Sequence, residues 1–284
     1  MLMTTLPLAL AVAGAMQAST DTTFAVQQGT RIELNNLNGS VRVEVWDRNE
    51  VRVRADHGSR DRVRISDHGA VVTIRAERQY GMPIEVDYRL TLPRNAALSV
   101  GGVQAEVDVT GLKGDLHAES VEGSLTARDV GAVTLTTVEG DVSVTGATGA
   151  VRVQSTDGDV HVSRVRGNLS ATTIDGDVIM DNVDANQVDV STVDGEVHFT
   201  GPLHDGGRYR LTSHDGDVTL IVPGQVNATV TVATFDGDFD SDFPVRMNSG
   251  QSSRRFSFTL GTGSAQIELE SFDGHIRLRR NQAQ

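Results

Sequence analysis

The chain holds no cysteine, one lysine, one tryptophan and three tyrosines in 284 residues, and each scarcity removes a class of function. Without thiols there are no disulfides, zinc ribbons, iron–sulfur clusters or cysteine nucleophiles, and thiol redox chemistry goes with them. With aromatics at 4%, large rings cannot fill a globular core of this length, so the interior must be thin and aliphatic. The hydrophobic content of 38% is ordinary, which excludes wholesale disorder. Positive charge is scarce where nucleic acid would need it. Residues 101–245 hold 7 basic and 24 acidic groups, a net −17, against 12 and 10 in residues 22–100 and 6 and 3 in residues 246–284. Such a middle segment repels phosphate backbones and leaves cations or basic partners open. An Arg-containing patch in residues 42–64 is nearly cancelled by Asp47, Glu50, Asp56 and Asp61, and reads as solvated faces of alternating strands.

Long apolar runs are absent after the first twenty residues. Those twenty, MLMTTLPLALAVAGAMQAST, carry no charge and are apolar from Leu6 to Ala15, which reads as the h-region of a signal peptide over residues 1–18. Cleavage after Ala15 satisfies small-x-small through Ala13, and cleavage after Ala18 is the alternative. The run is shorter than the roughly 20 apolar residues of a membrane-spanning helix, and no lipobox cysteine follows it. The expectation is export to the periplasm, the cell surface or beyond, with no transmembrane span.

What is abundant is glycine, 29 residues, in a repeating frame. VEGS (121–124), VEGD (138–141), TDGD (156–159), IDGD (174–177), VDGE (193–196), HDGD (214–217), FDGD (235–238) and FDGH (272–275) align on a turn glycine, with LNGS (37–40) a degenerate earlier copy. From Gly123 to Gly237 the spacings are 17, 18, 18, 19, 21 and 21 residues, and Gly274 follows after 37. Seven and five places before the glycine every copy is apolar, as in Val133 and Leu135 or Val188 and Val190. Two and four places after it the same holds, as in Val142 and Val144, with Ser241 the one break. Each copy is therefore two short period-two strands, with a second turn near Gly114, Gly131, Gly149 and Gly167.

An Asp-Gly pair between alternating apolar residues is ordinarily a hairpin signal. Across a two-residue hairpin, however, Val138, Ile174 and Val193 would share a face with Asp141, Asp177 and Glu196, and Thr137, Thr173 and Thr192 with Val142, Val178 and Val197. A corner leading into a second sheet removes that conflict. The predicted fold is all-β: a parallel β-solenoid (β-helix) of two-strand coils of about 18 residues, each stacked on the last at ~4.8 Å. Strand-rich caps are expected at residues 22–100 and 246–284, with the solenoid repeats over 101–245, because open strand edges recruit other chains.

At this point the chain resembles the putative-adhesin family of exported bacterial β-strand-repeat proteins, a domain of unknown function. The resemblance rests on LNGSVRVEVWDRNEVRVRA (37–55), YRLTLP (88–93) followed by ALSVGG, the serial DGDV repeats and ELESFDGHIRL (268–278), in that order. It implies a solenoid of the cell envelope or beyond, adhesion-like in its naming, and it supplies no catalytic motif.

The strongest chemical signal is a column of acids just before the glycine: Glu122, Glu139, Asp157, Asp175, Asp194, Asp215, Asp236 and Asp273. Asp141, Asp159, Asp177, Glu196, Asp217 and Asp238 follow the glycine. Stacked carboxylates repel by ~1 kcal/mol in water and more near a protein surface. Two offsets are open: hydroxyls and turn amides, since Ser or Thr stands two places before every acid, or a row of Ca²⁺ ions. His161 and His198 fall two coils apart, too far to share a proton or a metal; His117 lies on the opposite half-coil, and His214 is read as an inward turn residue. No Ser-His-Asp grouping or Gly-x-Ser-x-Gly elbow occurs, and Trp46 alone could stack a sugar. No catalytic, cofactor-binding or metal residue is therefore assigned. The reading is a non-catalytic structural or adhesion-like module with an unknown protein or cell-surface partner. Self-association through the solenoid ends, calcium binding and polysaccharide cleavage are the alternatives.

Overall fold

The structure is a computed structural model, and it describes residues 17–78, 81, 85–245 and 254–281. The segment read as a signal peptide lies outside these residues except at Gln17 and Ala18. The N-terminal part holds β1 (Gln17–Ala25), β2 (Arg31–Trp46), β3 (Glu50–Gly58), β4 (Asp61–Asp67), β5 (Val71–Arg78), β6 (Val86–Pro93) and β7 (Ala97–Thr110). Short strand pairs follow: β8 (Leu116–Glu122) and β9 (Leu125–Arg128), β10 (Val133–Glu139) and β11 (Val142–Thr145), β12 (Val151–Gln154) and β13 (Val160–Ser163), β14 (Leu169–Thr172) and β15 (Val178–Asp181). Next come β16 (Gln187–Ser191) and β17 (Val197–Thr200), β18 (Arg208–Asp215) and β19 (Val218–Val222), and β20 (Ala228–Asp236) and β21 (Phe239–Ser241). The chain closes with β22 (Arg255–Leu260), β23 (Ala265–Asp273) and β24 (Ile276–Arg280).

The windings stack in parallel, as the parity of the repeats requires. Val133 lies beside Leu116 on one side and Val151 on the other, and Val160 lies between Val142 and Val178. One face therefore runs β7–β8–β10–β12–β14–β16–β18, and the facing one runs β7–β9–β11–β13–β15–β17–β19. The chain is an all-β parallel solenoid. Between the faces lies one continuous aliphatic slab: Leu116, Val133, Val151, Leu169 and Val188 on one side, Leu125, Val142, Val160, Val178 and Val197 on the other, all buried. Fully burying each such side chain is worth about 1.5–3 kcal/mol.

A second corner closes each winding. There the inward residues Leu112, Val130, Ala147, Val165 and Val183 are buried, and Gly111, Asp129, Gly146, Arg164 and Asn182 stand in file with positive φ between 52° and 83°. Gly111, Asp129, Gly146 and Arg164 each donate their amide to the neighbouring winding, as in Asp129 N to Thr145 O (2.8 Å) and Gly146 N to Ser163 O (2.9 Å).

The ends differ from the middle. Bent β2 and β7 are complete windings, paired from Arg31–Ala97 through Val43–Val109. Beyond β2, β5 and β6 share one further parallel layer, and antiparallel β4, β3 and β1 cover it. At the other end stacking order departs from chain order. β23 and β24 insert between the β18–β19 winding and the β20–β21 winding. Antiparallel β22 then covers β20. The reason is visible in the inward residues. The 265–280 copy has Ile267, Leu269, Ile276 and Leu278, all buried, and suits an interior layer. The 228–241 copy carries Ser241 and a half-buried Phe239, and sits last, where Phe256 and Phe258 of β22 meet the Phe239 ring at centroid distances of 5.4 and 5.8 Å.

Candidate functional site: the glycine corner

The glycine corner turns each winding from one face to the other, and it does so with two successive outward residues. Ser120, Thr137, Ser155, Thr173, Thr192, Ser213, Thr234 and Ser271, three places before the glycine, are all buried. The hydroxyls of six of them, Ser120, Thr137, Thr173, Thr192, Ser213 and Ser271, serve the backbone and not the carboxylates. Thr192 Oγ1 donates toward Gly176 O (3.1 Å) and Asp194 O (3.4 Å), and Ser213 Oγ and Ser271 Oγ donate to Gly195 O and Gly216 O, both at 2.9 Å. Corner carbonyls that the strand ladders leave over are satisfied this way.

One residue further on, the side chain leaves the core. Leu37, Val103, Val121, Val138, Ile174, Val193, Phe272 and Phe235 are each 42–52% exposed, and among the described residues only Ile179 of the other exposed large hydrophobics lies elsewhere. With Thr156 and His214 they form one file, because their neighbours pair in register: Gln104 with Glu122, Glu122 with Glu139, Glu139 with Asp157, and so on to Asp273 with Asp236. At the C-terminal end the file is aromatic. His214 stacks on Phe272 at 4.8 Å, Phe272 on Phe235 at 4.7 Å, and the Arg254 guanidinium covers Phe235 at 4.1 Å. His214, read from the sequence as inward, is exposed; the turn bends one residue earlier than strict alternation allows, so its ring faces solvent.

The two files of acids run beside this ridge. Asp157, Asp175, Asp194 and Asp215 are exposed and stand in register one winding apart. Four acids of the second file are held by amides. Asp141 Oδ1 accepts from Asp159 N (3.1 Å), Asp159 Oδ1 from Asp177 N (2.9 Å), Asp177 Oδ1 from Glu196 N (2.8 Å) and Asp217 Oδ1 from His275 N (2.8 Å). These bonds offset the repulsion between stacked carboxylates. Asp217 has the most support: burial alone would raise its carboxyl, but the His275 amide and the Arg277 guanidinium outweigh that and hold it below the usual carboxylate range. Among the described residues no three acids or imidazoles converge as a metal site would require.

The other histidines are dispersed. His161 and His198 lie on the outer surface of the second face with Ile179 between them. His117 Nε2 meets Glu119 at 2.9 Å, and His204 Nε2 meets Asp184 at 2.5 Å, both at the surface. None of these imidazoles shares a proton acceptor with a second one. The residues that sequence reading missed are the ridge itself. Its signal stands in the repeats as V, V, T, I, V, H, F and F before the acids, where strict alternation points such a residue inward.

This order of windings, caps and corners carries a sequence signature. The profile of the Toastrack DUF4097 family matches residues 15–279. The chain belongs to that family. No curated protein is similar enough to count as a relative. Among solved structures, a putative adhesin from Parabacteroides distasonis is 11% identical over 92% of this chain and 97% of its own, with a TM-score of 0.35. A putative cell adhesion protein from Clostridium sporogenes is 7% identical over 93% and 100%, with a TM-score of 0.27. A putative lipid binding protein, also from Parabacteroides distasonis, is 10% identical over 92% and 96%, with a TM-score of 0.34. Among the described residues, no helix of this Toastrack chain is long and apolar enough to cross a membrane.

Proposed function

We propose that this Toastrack chain is an exported, non-catalytic β-solenoid of the bacterial cell envelope that serves as an adhesion-like binding module. The observation that carries the reading is the concentration of exposed large hydrophobic side chains in one file along the glycine corner. Isolated exposed apolar residues need no explanation, but a contiguous apolar patch rimmed by polar groups marks an interaction surface. A stack of near-identical windings holds such a file straight and rigid, so an extended partner is met without a pocket. Export is supported by the apolar segment Leu6–Ala15, and cleavage after Ala15 would leave β1 whole, whereas cleavage after Ala18 would remove Gln17 and Ala18, which pair with Gly58 and His57.

Fractionation of cells expressing a C-terminally tagged chain, with intact-mass measurement, tests the reading. The expected result is an envelope or periplasmic protein that has lost residues 1–15 and, at all concentrations, elutes as a monomer in size exclusion with light scattering. A chain with its N-terminus intact in the cytoplasmic fraction would overturn export. Growth of the particle with concentration would favour the envelope-scaffold alternative, in which copies join through the edges of β1, β4, β21 and β22. Reducing-end release from envelope polysaccharides would replace the binding role with a catalytic one.

A further inference from the structure

The partner class of the ridge can be taken further, on the footing that the corner is the binding face. We propose that the ridge seats a cationic amphipathic helix of a protein partner, its apolar stripe along Val121, Val138, Ile174 and Val193 and its Lys/Arg stripe over the flanking acids.

Charge selects the sign of the partner. On one flank the ridge has two acid files, the first continuous from Glu122 to Asp236 and the second supplying Asp141, Asp159, Asp177 and Glu196 beside the seat, and residues 101–245 carry a net −17. A second copy packed ridge to ridge would set these files against their like when antiparallel and would offer them no basic file when parallel, and an anionic bilayer would be repelled. The opposite flank presents Thr136, Gln154, Thr172 and Ser191, with Glu119 its one acid beside the seat, so basic groups are wanted chiefly on one side. The chain supplies its own example of the contact. Where the ridge ends, the Arg254 guanidinium lies 4.1 Å above the Phe235 ring, the geometry of a favourable cation–π pair.

Spacing selects the helix. Successive ridge side chains are one winding apart, ~4.8 Å. One face of an α-helix recurs every 5.4 Å turn, roughly 0.6 Å too long. Alternate residues of an extended chain recur every ~6.7 Å, roughly 1.9 Å too long. Over the four steps from Val121 to Val193 a helix drifts by about 2.4 Å, half a step, while a strand drifts by about 7.6 Å and falls out of register. A helix laying its apolar stripe on a hydrophobic track is an established mode of peptide recognition.

The test is fluorescence anisotropy of a labelled 18-residue Leu/Lys peptide patterned as an amphipathic helix, titrated with the full chain. Binding is expected, at least ten-fold tighter than for the same composition scrambled out of helical phase. Val121→Ser, Val138→Ser, Ile174→Ser and Val193→Ser combined should weaken it at least ten-fold with the Tm held, since all four side chains are exposed. Asp157→Asn, Asp175→Asn and Asp194→Asn, which leave the ridge whole, should flatten the salt dependence, and they keep the proposal falsifiable if the serine variant misfolds. Equal binding of the scrambled peptide, or unchanged binding by both variants, would overturn it. So would uptake by zwitterionic phosphatidylcholine vesicles in place of the peptide, or a dimer that the serine variant abolishes. If wild type and serine variant capture the same envelope proteins, the helix proposal fails while the binding-module reading stands; a cytoplasmic, uncleaved chain that still binds the peptide has the opposite meaning.

Discussion

The stacked corners make a prediction that separates parallel windings from any looser arrangement of the same strands. Gly176 has φ +135°, and a Cβ built on it would lie 2.4 Å from Gly158 O and 2.7 Å from its carbonyl carbon, both in the preceding winding. Gly206, in the loop before β18, also has positive φ, +74°, but a Cβ there meets nothing within 4 Å. Alanine at Gly206 bears only the backbone term, about 1–2 kcal/mol for a left-handed L-residue. Alanine at Gly176 bears about 1–3 kcal/mol for its φ and must also move Gly158 away by roughly 1 Å to reach an ordinary carbon–oxygen contact. That movement stretches ladder bonds now at 2.9 Å, Gly158 N to Asp175 O and Gly176 N to Asp194 O. The overpacking adds about 1–3 kcal/mol. At about 2–4 °C per kcal/mol for a chain of this size, Gly176→Ala should lower the Tm by roughly 4–24 °C and Gly206→Ala by roughly 2–8 °C, with the Gly176 drop the larger of the two. Differential scanning calorimetry of both variants checks this. Equal drops would mean that the corner carbonyl does not lie over the next glycine, and the registered files would have no basis.

Other outcomes follow from single side chains. Ser155 Oγ and Thr234 Oγ1 are buried without a hydrogen-bond partner, whereas Thr173 Oγ1 reaches Asp175 O and Gly158 O at 3.3 and 3.4 Å. Urea midpoints should therefore show Ser155→Ala neutral or stabilising and Thr173→Val destabilising by about 1 kcal/mol; the reverse order would refute the assignment of the hydroxyls. The carboxyls of Asp217 and Asp242 are held low, Asp217 against its burial by the His275 amide and Arg277, and Asp242 chiefly by the Arg280 amide and Arg279. A folded pKa below the unfolded one contributes stability above about pH 4 that is lost as pH falls through the folded value. Asp217→Asn should therefore lower the Tm at pH 7 and show a shallower further loss toward pH 2 than wild type; parallel curves would contradict this. Millimolar Ca²⁺ and chelator should give superimposable melting curves, because second-file carboxylates are engaged with backbone amides and no three ligands converge among the described residues. A rise in Tm with Ca²⁺ would restore the cation row.

Much of this architecture was legible before any coordinates, for a physical reason. Parallel stacking demands that like residues meet in vertical files, so every inward position is repeated down the chain. Val133, Val151, Leu169 and Val188 announce one face and Val142, Val160, Val178 and Val197 the other. The order of the last windings was not legible, because a strand's sequence states that it needs neighbours and not which ones. The 265–280 copy could have stacked on 228–241 from outside. Burial of Ile276 and Leu278 on both sides, and the tolerance of an end layer for Ser241, decide between the two orders only when the competing edges are compared in space.

The corner shows why the ridge was harder to read than the core. Period-two alternation allows one outward residue between two inward ones, yet here the residue two before the glycine and the acid after it both face solvent, as with Val121 and Glu122. An apolar residue in that place looks inward under strict alternation. The residue three before the glycine resolves the ambiguity: it is Ser or Thr in all eight copies and never aliphatic. A hydroxyl is needed there because corner carbonyls such as Gly195 O and Gly216 O require a donor that the strand ladder does not provide. Once that buried place belongs to a hydroxyl, the neighbouring valine, isoleucine or phenylalanine cannot also point inward. Its recurrence in nearly every winding, where solvent exposure offers folding little reward, is the pattern on which the proposed binding face rests.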